Sequence, residues 1–167
     1  MAKQQWREQF YQGTLTDGWQ WFGAHPENRR GKAGWTFRVW APQARAVSVV
    51  GDFNQWDSSA NRLKQNGSIW EGFVPDLPAY TAYKYAVMGQ DGKERYKADP
   101  YGFHTETRPA TASKLYDISG FRWNDQAFRQ RQAKHPVYDA PLNIYEVHLG
   151  SWKKRDNGDF IDYRDLA

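Results

Sequence analysis

The 167-residue sequence contains no cysteine, which excludes disulfides, thiol catalysis and cysteine-based metal sites. Its histidines, at positions 25, 104, 135 and 148, are scattered and show no H-E-x-x-H spacing, so neither a metal nor a cofactor is expected. No window approaches 18 uninterrupted apolar residues, and no membrane span is expected. The N-terminal run Met-Ala-Lys-Gln-Gln-Trp-Arg has no apolar stretch of the kind a secretory leader carries, which reads as a cytoplasmic protein. An excess of one charge is also missing. Lys and Arg number 23 against 19 Asp and Glu, a net charge of +4; this is a mild bias rather than a dense basic footprint, and no nucleic-acid partner is expected. A complete (β/α)₈ barrel, which needs about 250 residues, does not fit in this length.

Aliphatic side chains are scarce as well: Leu, Ile, Val and Phe together make 28 of the 167 residues. Aromatic rings fill the gap, with 9 Trp, 10 Tyr and 9 Phe. Each ring buries about 150–250 Å², so a core can be built from rings. So many tryptophans also point to a second use, the stacking of a ligand.

The N-terminal 33 residues read as an extension. A short helix is predicted over 4–12, where Trp6, Phe10 and Tyr11 recur at helical spacing. Trp19, Trp21 and Phe22 read as extended, and residues 23–34 as a turn-rich, solvated connector. From Gly34 the period changes to two. Trp35, Phe37 and Val39 alternate with Thr36, Arg38 and Trp40, and further strands follow at 47–50, 69–74, 83–87, 94–97 and 112–116. Residues 52–68 read as a loop ending in an Asn66-Gly67 turn, and Asp91-Gly92 as a hairpin turn. Short strands with frequent turn signals and almost no helix predict an all-β antiparallel sandwich over 34–117. Within it Trp35, Trp40 and Trp70 read as core, and Asp99-Pro100-Tyr101 as a structural turn leading out of the sheets. A linker with a short helix, capped at Asn124 and closed by Pro136 and Pro141, occupies 118–140. Residues 141–167 then present a strand, Leu142–Leu149, and the start of a helix at Tyr163, which reads as the opening of another domain. On that strand Glu146 and His148 would share a face.

Several stretches resemble one known family. FYQGT (10–14), FGAHP (22–26), FRVWAPQARAVSVVGDFNQWD (37–57), YKY (83–85), KADPYGF (97–103), RPATAS (108–113), IYEVHLGSW (144–152) and YRDLA (163–167) together are similar to the N-terminal part of 1,4-α-glucan (glycogen) branching enzymes. The VWAP and GDFNxW pair alone resembles the wider class of glycogen- and starch-binding modules; the KADPY and IYEVHLGSW stretches are specific to the branching enzymes. The resemblance implies an immunoglobulin-like sandwich of carbohydrate-binding-module type at 34–117 and the incomplete start of an α-amylase-type barrel at 141–167. It implies that the parent enzyme makes α-1,6 branches in glycogen by retaining transglycosylation, which needs two carboxyl groups about 5–5.5 Å apart. The family places those groups on later barrel strands, so no catalytic residue is assigned in this chain, which is expected to be inactive alone.

The resemblance also implies where a glucan is held. Trp56 matches the residue that stacks on a glucose ring in related modules, and Lys84 the one that hydrogen-bonds sugar hydroxyls. The second stacking tryptophan of those modules is missing from the hairpin near 90–96, where Tyr96 takes its place. Expected partners are therefore α-1,4-glucans such as glycogen, amylose and maltooligosaccharides, and the absent catalytic barrel. An unpaired strand at 142–149 would also offer an edge for self-association. The alternative is a free-standing glycogen- or starch-binding regulatory module, against which the strand and loop after Leu142 argue. Glu146 and His148 are expected to support the barrel rather than to act as acid and base.

Overall fold

A computed structural model describes residues 2–135, 138 and 141–167. It divides into two units, Met1–Phe121 and Arg122–Ala167.

In the first unit the alternation seen in the sequence becomes a two-layer structure. Trp35, Phe37 and Val39 leave one face of β2 and are buried. Nine strands are described: β1 (Gly23–Arg29), β2 (Lys32–Trp40), β3 (Ala46–Val50), β4 (Lys64–Asn66), β5 (Ile69–Pro75), β6 (Ala82–Met88), β7 (Glu94–Lys97), β8 (His104–Thr105) and β9 (Ser113–Lys114). One antiparallel sheet has the order β1-β2-β5-β4. The other has the order β3-β6-β9-β8, with β7 also paired to β6. Their inner faces share one core: Trp35, Phe37 and Val39 from β2 and Trp70 and Val74 from β5 meet Val47 and Val49 from β3 and Tyr83 and Tyr85 from β6. Phe37 and Tyr83 touch edge to face across the layers, with ring centroids 5.2 Å apart. Two antiparallel sheets packed in this way are a sandwich.

Four local expectations are corrected. Residues 23–34 are not a connector. Gly23–Arg29 is an edge strand, paired from Gly23↔Arg38 to Arg29↔Lys32, and Pro26 is tolerated because an edge strand has one side of its ladder free. The stretch around Trp19 is a short 3₁₀ turn, Gly18–Gln20, rather than an extended segment. Trp40 is not core. Period two places it with Thr36 and Arg38 on the other face of β2, where it is 54% exposed and donates its indole N–H to Ser68 Oγ at 3.0 Å. The loop reading of 52–68 also missed β4, which folds back on β5 through the turn at Gly67.

The outer face of the first sheet is covered by α1 (Ala2–Gln12), the predicted N-terminal helix. Trp6, Phe22 and Ile69 form a second buried cluster there, with Phe10 against it. Trp6 stacks on Trp21 at 5.2 Å. The Arg7 guanidinium reaches Glu71 at 2.7 Å, and Arg38 reaches the same carboxylate oxygen at 3.2 Å. Helix and sheet are therefore joined by rings and by one shared charge.

A buried polar pin fixes the exit from the second sheet. Tyr83 and Tyr85 both donate to Asp99 Oδ2, at 2.7 and 3.1 Å. Asp99 Oδ1 accepts the Tyr101 N–H, and the Asp99 N–H reaches Ser113 Oγ. The turn read at Asp99-Pro100-Tyr101 is thus tied into the core itself.

In the second unit α2 spans Gln126–Lys134, preceded by Asp125 rather than capped at Asn124; Arg129 pairs with that carboxylate at 2.8 Å. Pro136 lies outside the described residues. The strand expected over Leu142–Leu149 is not formed. Residues 141–148 make no ladder, and Ile144 and Tyr145 are 83% and 72% exposed. A strand needs a neighbour for its N–H and C=O groups, and no described segment of this unit supplies one. Glu146 and His148 therefore share no strand face; His148 instead precedes α3 (Leu149–Trp152), its Nδ1 2.8 Å from Ser151 Oγ. The predicted helix start at Tyr163 is present as α4 (Tyr163–Leu166), where Asp162 accepts the N–H groups of Arg164 and Asp165. Among the described residues no helix is long and apolar enough to cross a membrane.

Candidate functional site

The loop after β3 is built to hold one tryptophan. Gly51 opens it because there is no room for a side chain: a Cβ there would collide with the Ala82 carbonyl oxygen and come within 2.7 Å of the Phe53 ring. A 3₁₀ turn, Asp52–Asn54, follows. The Asn54 side chain locks the turn from inside. Its Oδ1 accepts the Gly51 N–H at 3.0 Å, and its Nδ2 donates to the Val49 carbonyl at 3.0 Å and to Asn61 Oδ1 at 2.8 Å. The chain then turns through two consecutive left-handed residues, Gln55 and Trp56, at φ 55° and 60°. Non-glycine residues rarely hold this conformation, and they do so where surrounding contacts fix it. Here the Trp56 N–H returns to the Gly51 carbonyl at 2.9 Å.

The half-buried Trp56 ring is oriented by two contacts. Its indole N–H donates to Asp52 Oδ1 at 2.8 Å. Its ring meets Tyr96 edge to face, with centroids 6.2 Å apart and planes at 70°. Tyr96 is 49% exposed, and burial beside Trp56 together with the neighbouring Glu94 carboxylate raises its phenol above the usual range. The phenol therefore remains a hydrogen-bond donor throughout the physiological range.

Register places Lys84 on the same face. Tyr96 pairs with Ala86 across β6 and β7, and Lys84 lies two residues back along β6. Residues at i and i+2 point to one side of a sheet, here the side opposite the buried Tyr83 and Tyr85. The Lys84 ammonium donates to Thr111 Oγ1 at 2.7 Å. The three residues singled out in the sequence thus occupy one outer face of the second sheet: Trp56 and Tyr96 in direct ring contact, and Lys84 beside them by register.

Three supporting residues escaped the sequence reading. Asp52 aims the indole, Asn54 locks its turn, and Thr111 holds the lysine. Asp52 and Asn54 lie within the GDFNxW stretch, and their spacing from Trp56 was a usable signal. Thr111 is 27 residues from Lys84, and nothing local marks it. Asp57 adds a carboxylate at the rim, held below its usual range by the Ser59 N–H and hydroxyl. Chemically, the face offers two partly exposed rings at an angle, one ammonium, and carboxylates and hydroxyls around them.

Comparison with known proteins gives this geometry a context. Residues 21–102 match the family described as carbohydrate-binding module 48 (isoamylase N-terminal domain). The chain is 42% identical over 160 residues to the 1,4-alpha-glucan branching enzyme of Geobacillus stearothermophilus, an alignment covering 95% of this chain and 25% of that protein. Identity and coverage are the same for the branching enzyme of Halothermothrix orenii. The chain thus spans about a quarter of the length of the curated relatives it matches. Among solved structures, a pullulanase from Anoxybacillus sp. complexed with maltotetraose is similar over 61% of this chain and 14% of that one, with a TM-score of 0.50 and 20% identity. That likeness concerns the fold alone.

Proposed function

We propose, given that residues 21–102 are a carbohydrate-binding module of family 48 and that the chain is the non-catalytic N-terminal region of a 1,4-alpha-glucan branching enzyme, that the Trp56 face of the immunoglobulin-like sandwich binds α-1,4-glucan. The observation that carries the reading is the pairing of Trp56 with Tyr96 on the outer face that also presents Lys84. An aromatic face suits the C–H face of a glucose ring, and ammonium, carboxylate and hydroxyl groups suit its hydroxyls. Because the Trp56 indole is already hydrogen-bonded and its backbone fixed, little ordering remains to be done on binding.

In the parent enzyme this face would hold a long glucan while later segments cleave an α-1,4 link and transfer the released chain to a 6-hydroxyl. Residues 141–167 would begin the catalytic barrel and brace it. Their exposed Leu142, Ile144, Tyr145, Phe160 and Tyr163 support that reading, since such side chains lose contact with water when further strands and helices cover them.

The test is a titration of the 167-residue chain with maltoheptaose, followed by tryptophan fluorescence. Saturable binding is expected, weakened about tenfold or more in Trp56→Ala, which corresponds to at least about 1.4 kcal/mol. Unchanged affinity in a folded Trp56→Ala protein would remove the assignment.

A further inference from the structure

Trp19 differs from the tryptophans that are built into the sandwich. The indole N–H groups of Trp35, Trp40, Trp56 and Trp70 each donate to an acceptor in the same unit. That of Trp19 has no acceptor among the described residues, as is also so for Trp6 and Trp21, but those two rings stack on each other beside α1, whereas Trp19 is 48% exposed. Trp19 lines an open groove of about 500 Å³, with Phe103 and Tyr116 as its other rings and Gln20, His25 and Asp117 among its polar members. All of them belong to the first unit, and none belongs to the Trp56 face.

The groove is fixed rather than loose. Phe103 is held between Trp19, edge to face at 6.4 Å, and His25, edge to face at 5.6 Å. His25 is tethered through Nε2, 2.9 Å from the Phe22 carbonyl oxygen. Tyr116 is braced by Tyr80 and His104, each with ring centroids 5.5–5.6 Å away. Asp117 is oriented by the Ser119 N–H at 2.8 Å. The Ser119 hydroxyl and N–H hold its carboxyl below the usual range, so it stays ionised and accepts hydrogen bonds.

The chemistry of the lining selects among ligands. A purely apolar partner would desolvate Asp117 and Gln20 without giving them hydrogen bonds, which costs free energy. A strongly charged ligand would meet one carboxylate and no cluster of cations. A neutral ligand with apolar faces and a rim of hydroxyls satisfies both kinds of lining at once, and a glucose unit has that form. We propose that this groove is a second α-glucan subsite, with Trp19 as the stacking platform and Asp117 and Gln20 as hydroxyl partners. The choice of ligand rests on the glucan reading of the Trp56 face, whereas the location of the groove does not.

The test separates the two faces by giving each its own reporter. The ¹⁵N-labelled 167-residue chain is titrated with maltoheptaose, and the indole N–H resonances of Trp19 and Trp56 are assigned from Trp19→Ala and Trp56→Ala. Both resonances are expected to shift, with separate midpoints. Trp56→Ala should change the Trp19 midpoint by less than about twofold, as expected for sites sharing no partner. Asp117→Ala should weaken the Trp19 midpoint by about fivefold, the loss of roughly one hydrogen bond. A Trp19 resonance that stays in place while Trp56 saturates overturns the second subsite and leaves the first reading standing. A Trp19 shift that disappears in Trp56→Ala overturns it too, since the shift then only reports the other face. A Trp19 shift without a Trp56 shift supports the groove and removes the Trp56 assignment. No shift of either resonance in folded protein removes both.

Discussion

Replacement of Asp99 should separate two effects that its buried carboxylate combines. Asp99 is 7% exposed, and its tyrosine partners Tyr83 and Tyr85 are each 1% exposed. Asp99→Ala would leave both phenol hydroxyls without an acceptor, at about 1–3 kcal/mol each. Removing a carboxylate that has no ion-pair partner among the described residues offsets part of that loss, so a net destabilisation of about 2–4 kcal/mol is expected. Asp99→Asn keeps an acceptor for the two hydroxyls and removes the charge, but turns its amide nitrogen toward the Tyr101 N–H and gives up that hydrogen bond, so it should cost less than Asp99→Ala but not nothing. The pH dependence gives the sharper test. Burial raises the Asp99 carboxyl above its ordinary value of 3.8, against the hydrogen bonds from Tyr83, Tyr101 N–H and Tyr85 that lower it. The folded protein therefore holds the proton more tightly than the unfolded chain. Its stability gains as pH falls from above the raised folded value towards 3.8, the opposite of a salt-bridged carboxylate. Urea unfolding followed by tryptophan fluorescence at several pH values should show wild type gaining on Asp99→Asn as the solution is acidified. A difference between the two that does not vary with pH, or an Asp99→Ala protein within about 1 kcal/mol of wild type, would refute the reasoning.

Other perturbations test the remaining parts. Trp6→Ala removes the ring that joins α1 to Trp21 and Phe22 and should cost about 3–5 kcal/mol in urea unfolding; a loss under about 1 kcal/mol would mean that α1 is not docked. Gly51→Ala places a methyl group against the Ala82 carbonyl and the Phe53 ring. It should destabilise by about 1–3 kcal/mol and lower maltoheptaose affinity, which an unchanged binding isotherm would contradict. Asp91 is held down to about 2 by its hydrogen bonds from Arg95 and the Lys93 N–H. Its carboxyl should therefore titrate near that value by NMR, and Arg95→Ala should return it towards the ordinary range. A lowered carboxyl favours the folded form above its ordinary value and loses that contribution as pH falls through its own midpoint, but on an exposed pair the effect on stability is screened and small.

The strands that the sequence revealed most clearly are those where one residue in two is forced into the core. β2, β3 and β6 show this, because Trp35 and Phe37, Val47 and Val49, and Tyr83 and Tyr85 face a common interior. β1 escaped notice because Gly23, Pro26 and the charges of Glu27 and Arg29 mimic a turn, and its pairing partner, not its own propensity, makes it a strand. β4 and β8 are three and two residues long, too short to show a period. The failure at Leu142–Leu149 has the reverse cause. Its β-rich composition is clear, but composition supplies no neighbour to hydrogen-bond with. At the candidate site the motif located Trp56. The sequence alone had no means of showing that Tyr96 meets it or that Thr111 meets Lys84, since those contacts depend on how β7 and the loop before β9 return to β6.

The N-terminal helix gives the two outer sides of the sandwich different surroundings. A sandwich has two outer faces, and rings emerge on both. On the first sheet Trp40 and Ile69 emerge beside Arg38 and Glu71, a set that also combines an aromatic ring with charges. α1 covers part of that face. Phe10 packs against Trp40 with ring centroids 6.0 Å apart, Ile69 is fully buried, and the one carboxylate there is shared between Arg7 and Arg38. On the second sheet the outer face is covered at Ser48, Val50 and Ala86, which are buried, with Ser48 Oγ donating to the Ser58 carbonyl, and it leaves Tyr96 exposed where it meets the half-buried Trp56. The two faces thus differ in what covers them, a helix on the first and on the second a loop with a locked turn that leaves Tyr96 exposed. Asp52 and Asn54 set how that loop presents its ring, the first by accepting the Trp56 indole N–H and the second by bonding the Gly51 N–H and the Val49 carbonyl.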